Sequence, residues 1–255
     1  MEKPYLSIII PAYNEAKRLP ETLADINKKI KELKFPSGKQ DDYEIIVVND
    51  GSKDATVDAA ERFKSLIDNF KLIDNKKNHG KGWVVRQGML EAKGKIRLFT
   101  DADNSTSLEQ FNNMIPYFEE GYDVVIGSRD IKGAKLVPPQ PWYKRLAGNI
   151  GNLIIQILLL PGIWDTQCGF KAFTKESAEN IFSLIKSERW AFDVEALALA
   201  KKCNYKIKEI PITWVNSVFS HVKMSAYLKS LLEVFKIKWW LINFDKNYKS
   251  LKLKK

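Results

Sequence analysis

The sequence predicts an α/β fold with a mostly parallel sheet flanked by helices, and two observations support this prediction. Nearly continuous apolar runs alternate with amphipathic segments along the first half of the chain. Runs without polar alternation are typical of strands buried on both faces of a parallel sheet. Polar motifs follow four of these runs directly, as expected where ligands bind at the carboxyl ends of such strands.

Strands and helices alternate regularly up to about residue 128. Each predicted strand is a short apolar run that ends at a polar or turn-prone residue, such as Pro11. The helices repeat apolar residues at spacings of three and four, and Asp54 is the expected N-cap of the second. The predicted strands are residues 6–12, 43–50, 70–75, 95–101 and 122–128, and the predicted helices are residues 20–33, 54–67, 80–94 and 108–120.

The remaining chain is less regular. Three prolines and two lysines mark residues 132–141 as a loop. Residues 142–160 are predicted to form an amphipathic helix, whose apolar face either enters a membrane interface or packs on the sheet. The further predicted elements are a turn leading into a strand at 165–174, helices at 175–185 and 192–203, and a strand at 205–214.

Composition favours a cytoplasmic globular protein. The 255 residues are 45% apolar and 11% aromatic, which are values of a folded domain. The two cysteines, Cys168 and Cys203, do not make a disulfide framework and are expected to be free thiols. We expect neither a secretion signal nor a spanning helix, because the longest apolar stretch, residues 153–164, is too short and is interrupted.

Positive charge is concentrated at the end of the chain. The net charge is +10, and the last 33 residues carry nine lysines against Glu233 and Asp245, which leaves +7 there. Lysines mixed with tryptophan and phenylalanine favour an anionic membrane surface over nucleic acid. The other interpretation is a solvated basic helix whose aromatic residues pack on the domain. We therefore expect a catalytic domain at residues 1–222 and a basic amphipathic segment at 223–255.

The motif "DAD" at the end of the fourth strand is the strongest candidate for a metal site. Asp101 and Asp103 are hard oxygen ligands, suited to Mg²⁺ or Mn²⁺ shared with substrate phosphates. A bound cation would neutralise the negative charge that develops on a departing diphosphate. The alternative is an acidic loop with a helix cap, but three other polar strand ends favour the metal.

Two further motifs indicate a nucleotide site. Asp50, in "VNDGSKD", ends the second strand and is able to accept hydrogen bonds from a base or ribose; the alternative is an ordinary strand–helix turn. Lys81, in "NHGKG", lies at a helix start, where the macrodipole favours anions. Neither a GxGxxG nor a GxxxxGK[ST] motif occurs, which disfavours dinucleotide-binding and P-loop proteins.

These motifs together resemble a known family. The ordered succession "SIIIPAYNE", "VVNDGSKDAT", "NHGKG", "FTDADNST", "VIGSR", "DTQCGFKAF" and "FDVE" is similar to family 2 glycosyltransferases of the GT-A fold. Within that family it is most similar to polyprenyl-phosphate sugar transferases, and "DADNST" with "DTQCGFK" resembles members that transfer glucose to a dolichyl-type phosphate. The resemblance covers about residues 5 to 225.

The resemblance implies roles for the matching positions. The nucleotide-sugar pocket would contain Pro11, Ala12, Tyr13, Glu15, Asp50, Lys81 and Asp101. The metal would be held by Asp103 with help from Asp101, and Ser105 replaces a glutamine that also binds the metal in some relatives. The acceptor phosphate would be bound by Arg129, Arg145, Asn149 and Lys223. The candidate catalytic carboxylates are Asp165 and Asp193.

The implied reaction is an inverting, metal-dependent transfer of a hexose to a polyprenyl phosphate on the cytoplasmic face of a membrane. UDP-glucose is the favoured donor, and GDP-mannose is the other candidate. An ionised lipid phosphate needs no general base, whereas a glycan or protein hydroxyl acceptor would need one, such as Asp193. A sugar-phosphate nucleotidyltransferase and a basic binding module are the remaining alternatives. The first lacks its glycine-rich basic loop here, and the second is disfavoured by the strand-end carboxylates.

Overall fold

Seven strands form one mixed sheet at the centre of the molecule. The computed structural model describes residues 3–39, 42–139, 142–215, 232–242 and 244, apart from the side chains of 142–147 and 149. The strands are β1 (Leu6–Ala12), β2 (Tyr43–Asp50), β3 (Phe70–Asn75), β4 (Ile96–Thr100), β5 (Val124–Ser128), β6 (Lys135–Val137), β7 (Phe170–Thr174), β8 (Ile207–Pro211) and β9 (Thr213–Val215). The helices are α1 (Leu19–Lys29), α2 (Thr56–Glu61), α3 (Lys81–Glu91), α4 (Ile115–Glu119), α5 (Trp142–Leu158), α6 (Lys175–Leu184) and α7 (Phe192–Lys202).

The strand order of this sheet is β3-β2-β1-β4-β7-β5-β8, and β7 alone runs antiparallel to both of its neighbours. The remaining pairs are parallel, so the predicted mostly parallel sheet is confirmed. Because β1, β2, β4 and β5 point the same way, the polar motifs that follow them lie along one edge of the sheet.

Apolar side chains fill a core on each face of the sheet. Successive residues of a strand point to opposite faces, so Ile9 enters one core while Ile8 and Ile10 enter the other. All seven residues of β1 are buried, which explains why the strand is a continuous apolar run. Helices α3, α6 and α7 cover the core that contains Ile9, and α1 covers the opposite core.

Several predicted boundaries were wrong. Predicted helices 20–33, 54–67 and 108–120 each contain a shorter α-helix joined to a 3₁₀ turn, namely Ile30–Glu32, Arg62–Ser65 and Leu108–Asn113. Helix α2 begins at Thr56 with Ala55 as its N-cap, so Asp54 is not the cap residue. The predicted loop at 132–141 contains β6, which pairs with β9 in a separate two-stranded sheet, and Ile212 divides the predicted strand 205–214.

A further helix spans residues 232–242 and packs against the core on the α7 side of the sheet through Val234, Ile237 and Leu241. In the described part of the chain, no helix combines the length and apolarity needed to cross a bilayer. Most of the expected basic segment at 223–255 lies outside the described residues, so its separation from the catalytic domain stays a prediction.

A substitution at Gly88 tests how closely α3 packs on the sheet. A Cβ at this position would lie 2.5 Å from Cγ2 of Ile9 and 3.0 Å from Cγ2 of Val48. Both are branched, fully buried side chains, so we expect Gly88→Ala to lower the free energy of unfolding by about 1–3 kcal/mol. The measurement is urea denaturation.

The matched control for this prediction is Gly151→Ala in α5. Among the described residues no atom lies within 4 Å of a Cβ built there, and alanine favours a helix by about 0.5–1 kcal/mol over glycine. Equal stabilities of the two variants would contradict the close α3–β1 contact.

Candidate active site

Hydrogen bonds join the loops that follow β1 and β2 into one wall of the site. The backbone N–H of Asn14 donates to Oγ of Ser52 at 2.9 Å, and that of Glu15 donates to Oγ1 of Thr56 at 2.8 Å. Asn14 adopts a positive φ of 55°, which turns the chain sharply after β1. Pro11 and Ala12 are buried in this wall, whereas the Tyr13 ring is exposed beside it. The carboxylate of Glu15 is paired with the Arg18 guanidinium.

Asp50 fixes the loop that precedes α3. Its buried carboxylate accepts hydrogen bonds from the backbone N–H groups of His79 at 2.7 Å and Gly80 at 2.9 Å, and from Nδ2 of Asn78 at 2.9 Å. The sequence did not reveal this role, because the partners are some thirty positions away. Contact between Asp50 and a nucleotide base stays a prediction.

Lys81, the first residue of α3, connects this loop to the "DAD" motif. Its Nζ lies 2.5 Å from Oδ1 of Asp101. Burial alone would lower the pKa of Lys81, but the carboxylates of Asp101 and Asp193 outweigh it and the pKa is raised. The structure therefore brings three sequence-predicted residues together, because the Lys81 cation interacts with the carboxylates of both Asp101 and Asp193.

Asp103 is less compensated than Asp101. Its Oδ1 accepts a hydrogen bond from the backbone N–H of Ser105 at 3.0 Å, and its Oδ2 is 4.0 Å from Nη1 of Arg18. Because Arg18 is bound primarily to Glu15, Asp103 keeps most of its negative charge available for a cation.

A divalent cation fits the end of β4. Asp101 approaches β7 so closely that a Cβ on Gly169 would lie 2.0 Å from its Oδ2, so glycine keeps this carboxylate accessible. The Ser105 hydroxyl beside Asp103 is buried and has no hydrogen-bond partner within the described structure. No described group of three or more His, Cys, Asp or Glu side chains forms a metal site. Two carboxylates are nevertheless the usual protein share for Mg²⁺ when substrate phosphates and water complete its shell.

Asp193 is bound from the interior by Lys171, a residue that the sequence analysis missed. Nζ of Lys171 lies 2.6 Å from Oδ1 of Asp193, and both residues are buried. Burial raises the pKa of Asp193, although Lys171 and Lys81 oppose the shift. The signal in the sequence was a lysine inside the apolar strand "FKAF", since a buried ammonium needs an anionic partner.

Arg129 and Asp165 form a second ion pair, in which Asp165 is buried and Arg129 is partly exposed. Nε and Nη2 of Arg129 donate to the two carboxylate oxygens of Asp165 at 2.7 and 2.9 Å, and the Arg129 backbone N–H donates at 2.9 Å. The pKa of Asp165 is lowered, because the Arg129 cation outweighs the opposing effect of burial. Arg129 also lies 5.6 Å from the centre of the Trp214 ring. Much of its hydrogen-bonding capacity is therefore already used within the protein.

Three predicted acceptor residues cannot be compared with the structure. Arg145 and Asn149 lie within α5, but their side chains are outside the described part, and Lys223 lies outside the described residues. Their roles, and those of the other site residues, stay predictions.

The sequence that carries this arrangement of carboxylates and lysines matches known proteins. A family model described as "Glycosyl transferase family 2" matches residues 7–182. The chain belongs to this family. It is 41% identical over 222 residues to a dolichyl-phosphate beta-glucosyltransferase of Dictyostelium discoideum, a match that covers 82% of this chain and 66% of that protein. The Homo sapiens protein of the same name is 36% identical over 221 residues, covering 82% and 67%. The family resemblance noted from the motifs is thus confirmed, and the chain spans about two thirds of the length of these relatives.

Solved structures agree on the fold. Glucosyl-3-phosphoglycerate synthase of Mycobacterium tuberculosis, in complex with Mn²⁺, UDP and glucosyl-3-phosphoglycerate, superposes with a TM-score of 0.64. The superposition covers 92% of this chain and 78% of that one, at 14% sequence identity. At this identity the likeness supports the fold alone, and it confirms the predicted GT-A class.

The Arg129–Asp165 pair predicts a pH-dependent contribution to stability. The pKa of Asp165 in the folded state is below its unfolded value of about 3.9. The pair therefore stabilises the fold above that pH, and the contribution is lost as pH falls through the folded-state pKa. We expect Asp165→Asn to lower the free energy of unfolding by about 3 kcal/mol at pH 7, and the difference from wild type to shrink below about pH 4.

Urea denaturation between pH 3 and pH 7 measures this effect, with the exposed Asp58→Asn as control. The control should remain within about 0.5 kcal/mol of wild type. A loss for Asp165→Asn that is the same at every pH would show that the charge of Asp165 does not carry the effect.

Proposed function

We propose that this glycosyltransferase moves a hexose, with glucose favoured, from a nucleotide diphosphate sugar to a polyprenyl phosphate. The observation that carries the proposal is the convergence of Lys81, Asp101 and Asp103 at the end of β4. This is a site for a diphosphate and a divalent cation. The names of the curated relatives support dolichyl-type phosphate as acceptor and glucose as the sugar.

On the donor side, the wall formed by the loops after β1 and β2 would receive the nucleoside. Tyr13 presents an exposed ring there, and Asp50 orders the neighbouring backbone. Lys81 would attract the diphosphate, and Asp101 and Asp103 would hold Mg²⁺ or Mn²⁺. The bound cation would neutralise charge on the leaving diphosphate. UDP-glucose is the favoured donor because the relatives are glucosyltransferases, and GDP-mannose is the other candidate.

On the acceptor side, an ionised phosphate attacks without a general base, so positioning and charge compensation supply most of the rate. Arg129 would contribute one cation, while Asp165 holds its guanidinium plane in place. Arg145, Asn149 and Lys223 complete the acceptor site proposed from the family resemblance. A single direct displacement at the anomeric carbon would invert its configuration.

The raised pKa of Asp193 favours a second candidate, in which the acceptor is a glycan or protein hydroxyl. Such an acceptor must lose its proton, and a buried carboxylate with a raised pKa is a suitable base. Under the polyprenyl phosphate proposal, Asp193 instead serves with Lys171 to position Lys81 and the donor.

A polyprenyl acceptor brings the reaction to a membrane, and two described helices offer surfaces for peripheral attachment to its cytoplasmic face. In helix 232–242, one face packs on the core while Leu232, Phe235, Trp239 and Ile242 are exposed. Their spacing of three, four and three residues places them in one stripe, with Lys236 and Lys238 on opposite sides of it. Such a stripe suits the interface of an anionic bilayer. In α5, Ile150, Leu153 and Ile157 form a second exposed stripe.

A donor screen tests the reaction. Purified protein is incubated with Mg²⁺ or Mn²⁺, a short polyprenyl phosphate and one radiolabelled nucleotide sugar at a time. We expect label from UDP-glucose in the organic phase, and a loss of about 10³-fold or more in Asp103→Ala, because several kcal/mol of charge stabilisation disappear.

Asp58→Ala is the control and should react like wild type, since Asp58 is exposed on α2. Metal-dependent donor hydrolysis without organic label would support the hydroxyl acceptor instead. No turnover or binding of any nucleotide sugar would refute both candidates, and near-normal transfer by Asp103→Ala would remove Asp103 from the metal site.

Membrane attachment is tested by vesicle sedimentation. Replacing Phe235 and Trp239 together by serine should weaken binding to anionic vesicles by about tenfold or more, because two large apolar contacts are lost. Leu66→Ser is the matched control. Leu66 is similarly exposed, but it follows the 3₁₀ turn Arg62–Ser65 on the other face of the sheet. Unchanged binding of the double variant would exclude helix 232–242 from the membrane surface.

A further inference from the structure

The loop between α6 and α7, residues 186–191, is held in place by hydrogen bonds to α7 on one side and to α3 on the other. Buried Glu195 accepts from the backbone N–H of Lys186 at 3.0 Å and of Ser187 at 2.7 Å. The carbonyl oxygens of Glu188 and Arg189 accept from the start of α3, through the N–H groups of Trp83 at 3.0 Å and Gly82 at 3.2 Å. A loop bonded in this way presents its side chains in fixed positions.

Two glycines allow this close approach. A Cβ on Gly80 would lie 2.5 Å from the carbonyl oxygen of Glu188, and a Cβ on Gly82 would lie 2.5 Å from that of Ser187. Besides lying at the start of α3, the two glycines of "NHGKG" therefore let the α6–α7 loop pack directly on the residues that flank Lys81.

Trp190 is the large side chain that this arrangement presents at the site. It is 45% exposed, although the loop backbone around it is bonded. Lys81 Nζ lies 5.4 Å from the centre of the indole ring and 2.5 Å from Oδ1 of Asp101. An accessible aromatic surface is thus held next to Lys81, which would attract the diphosphate, and near Asp101, which would hold the metal.

We propose that Trp190 is the platform on which the hexose ring of the donor rests, an inference that depends on the proposed transfer from a nucleotide sugar. A pyranose presents C–H groups on its faces, and the negative face of an aromatic ring attracts them. A diphosphate bound by Lys81 and by a metal at Asp101 would have its sugar attached directly beside it, within reach of the indole. Fixing the ring would align the anomeric carbon for attack. Trp190 acts here as a positioning residue and takes no part in bond making.

The test separates the hexose from the rest of the donor. Binding of UDP-glucose and of UDP, each with Mn²⁺, is measured by titration calorimetry for wild type, Trp190→Ala and Trp190→Phe. We expect Trp190→Ala to bind UDP-glucose about tenfold more weakly, which corresponds to about 1.4 kcal/mol, and to bind UDP like wild type. Unchanged UDP binding also shows that the variant is folded. Trp190→Phe keeps an aromatic face and should recover most of the affinity for UDP-glucose.

Trp164→Ala is the matched control, because Trp164 is also exposed but belongs to the segment between α5 and β7. It should bind both ligands like wild type. Equal weakening of UDP and UDP-glucose in Trp190→Ala would overturn the inference and make Trp190 a support of the loop. Unchanged affinity for both would overturn it as well. If wild type binds neither ligand nor any other nucleotide sugar, the proposed function fails together with this inference.

Discussion

The alternation of charges from Asp101 through Lys81 to the buried residues Asp193 and Lys171 is the interaction on which the site depends. Lys171 is fully buried in β7 and needs an anionic partner, which Asp193 supplies from the first turn of α7. Lys81 is then stabilised by Asp193 as well as by Asp101. Removing Lys171 or Asp193 would leave its partner as an uncompensated buried charge, which costs far more than the pair gains. The charges therefore fix how β4, β7, α3 and α7 meet.

The antiparallel strand β7 makes this meeting possible. It lies between β4 and β5 and pairs Thr100 with Phe170, so Gly169 reaches the side of Asp101 just beyond the end of β4. Two residues later on the same strand, Lys171 extends toward α7 instead. One short segment thus supplies both the space beside the Asp101 carboxylate and the cation that pairs with Asp193.

The sequence predicted the part of this structure that local patterns encode. Continuous apolar runs identified β1, β2, β4 and β5, because strands buried on both faces leave no room for polar residues. Parallel topology then placed the strand-end motifs at one edge. The short strand β6 was missed and β9 was not separated from β8, because β6 and β9 have three residues each and gain their stability from a partner some eighty positions away. For the same reason, the pairing of Arg129 with Asp165 and of Lys171 with Asp193 could not be read from a single sequence.

The distribution of charge also explains why donor and metal would bind together. Asp101, Asp165 and Asp193 already have close basic partners, while the described cation partner of Asp103, Arg18, lies 4.0 Å away. A diphosphate alone would add negative charge beside these carboxylates, and a divalent cation alone would compete with Lys81 for Asp101. Bound as a pair, the two nearly cancel, so the existing ion pairs stay intact and Asp103 gains the partner that the protein does not provide. These charges therefore suit the proposed metal–diphosphate unit, and the ring of Trp190, whose centre lies 5.4 Å from Lys81 Nζ, would be offered to the sugar beside it.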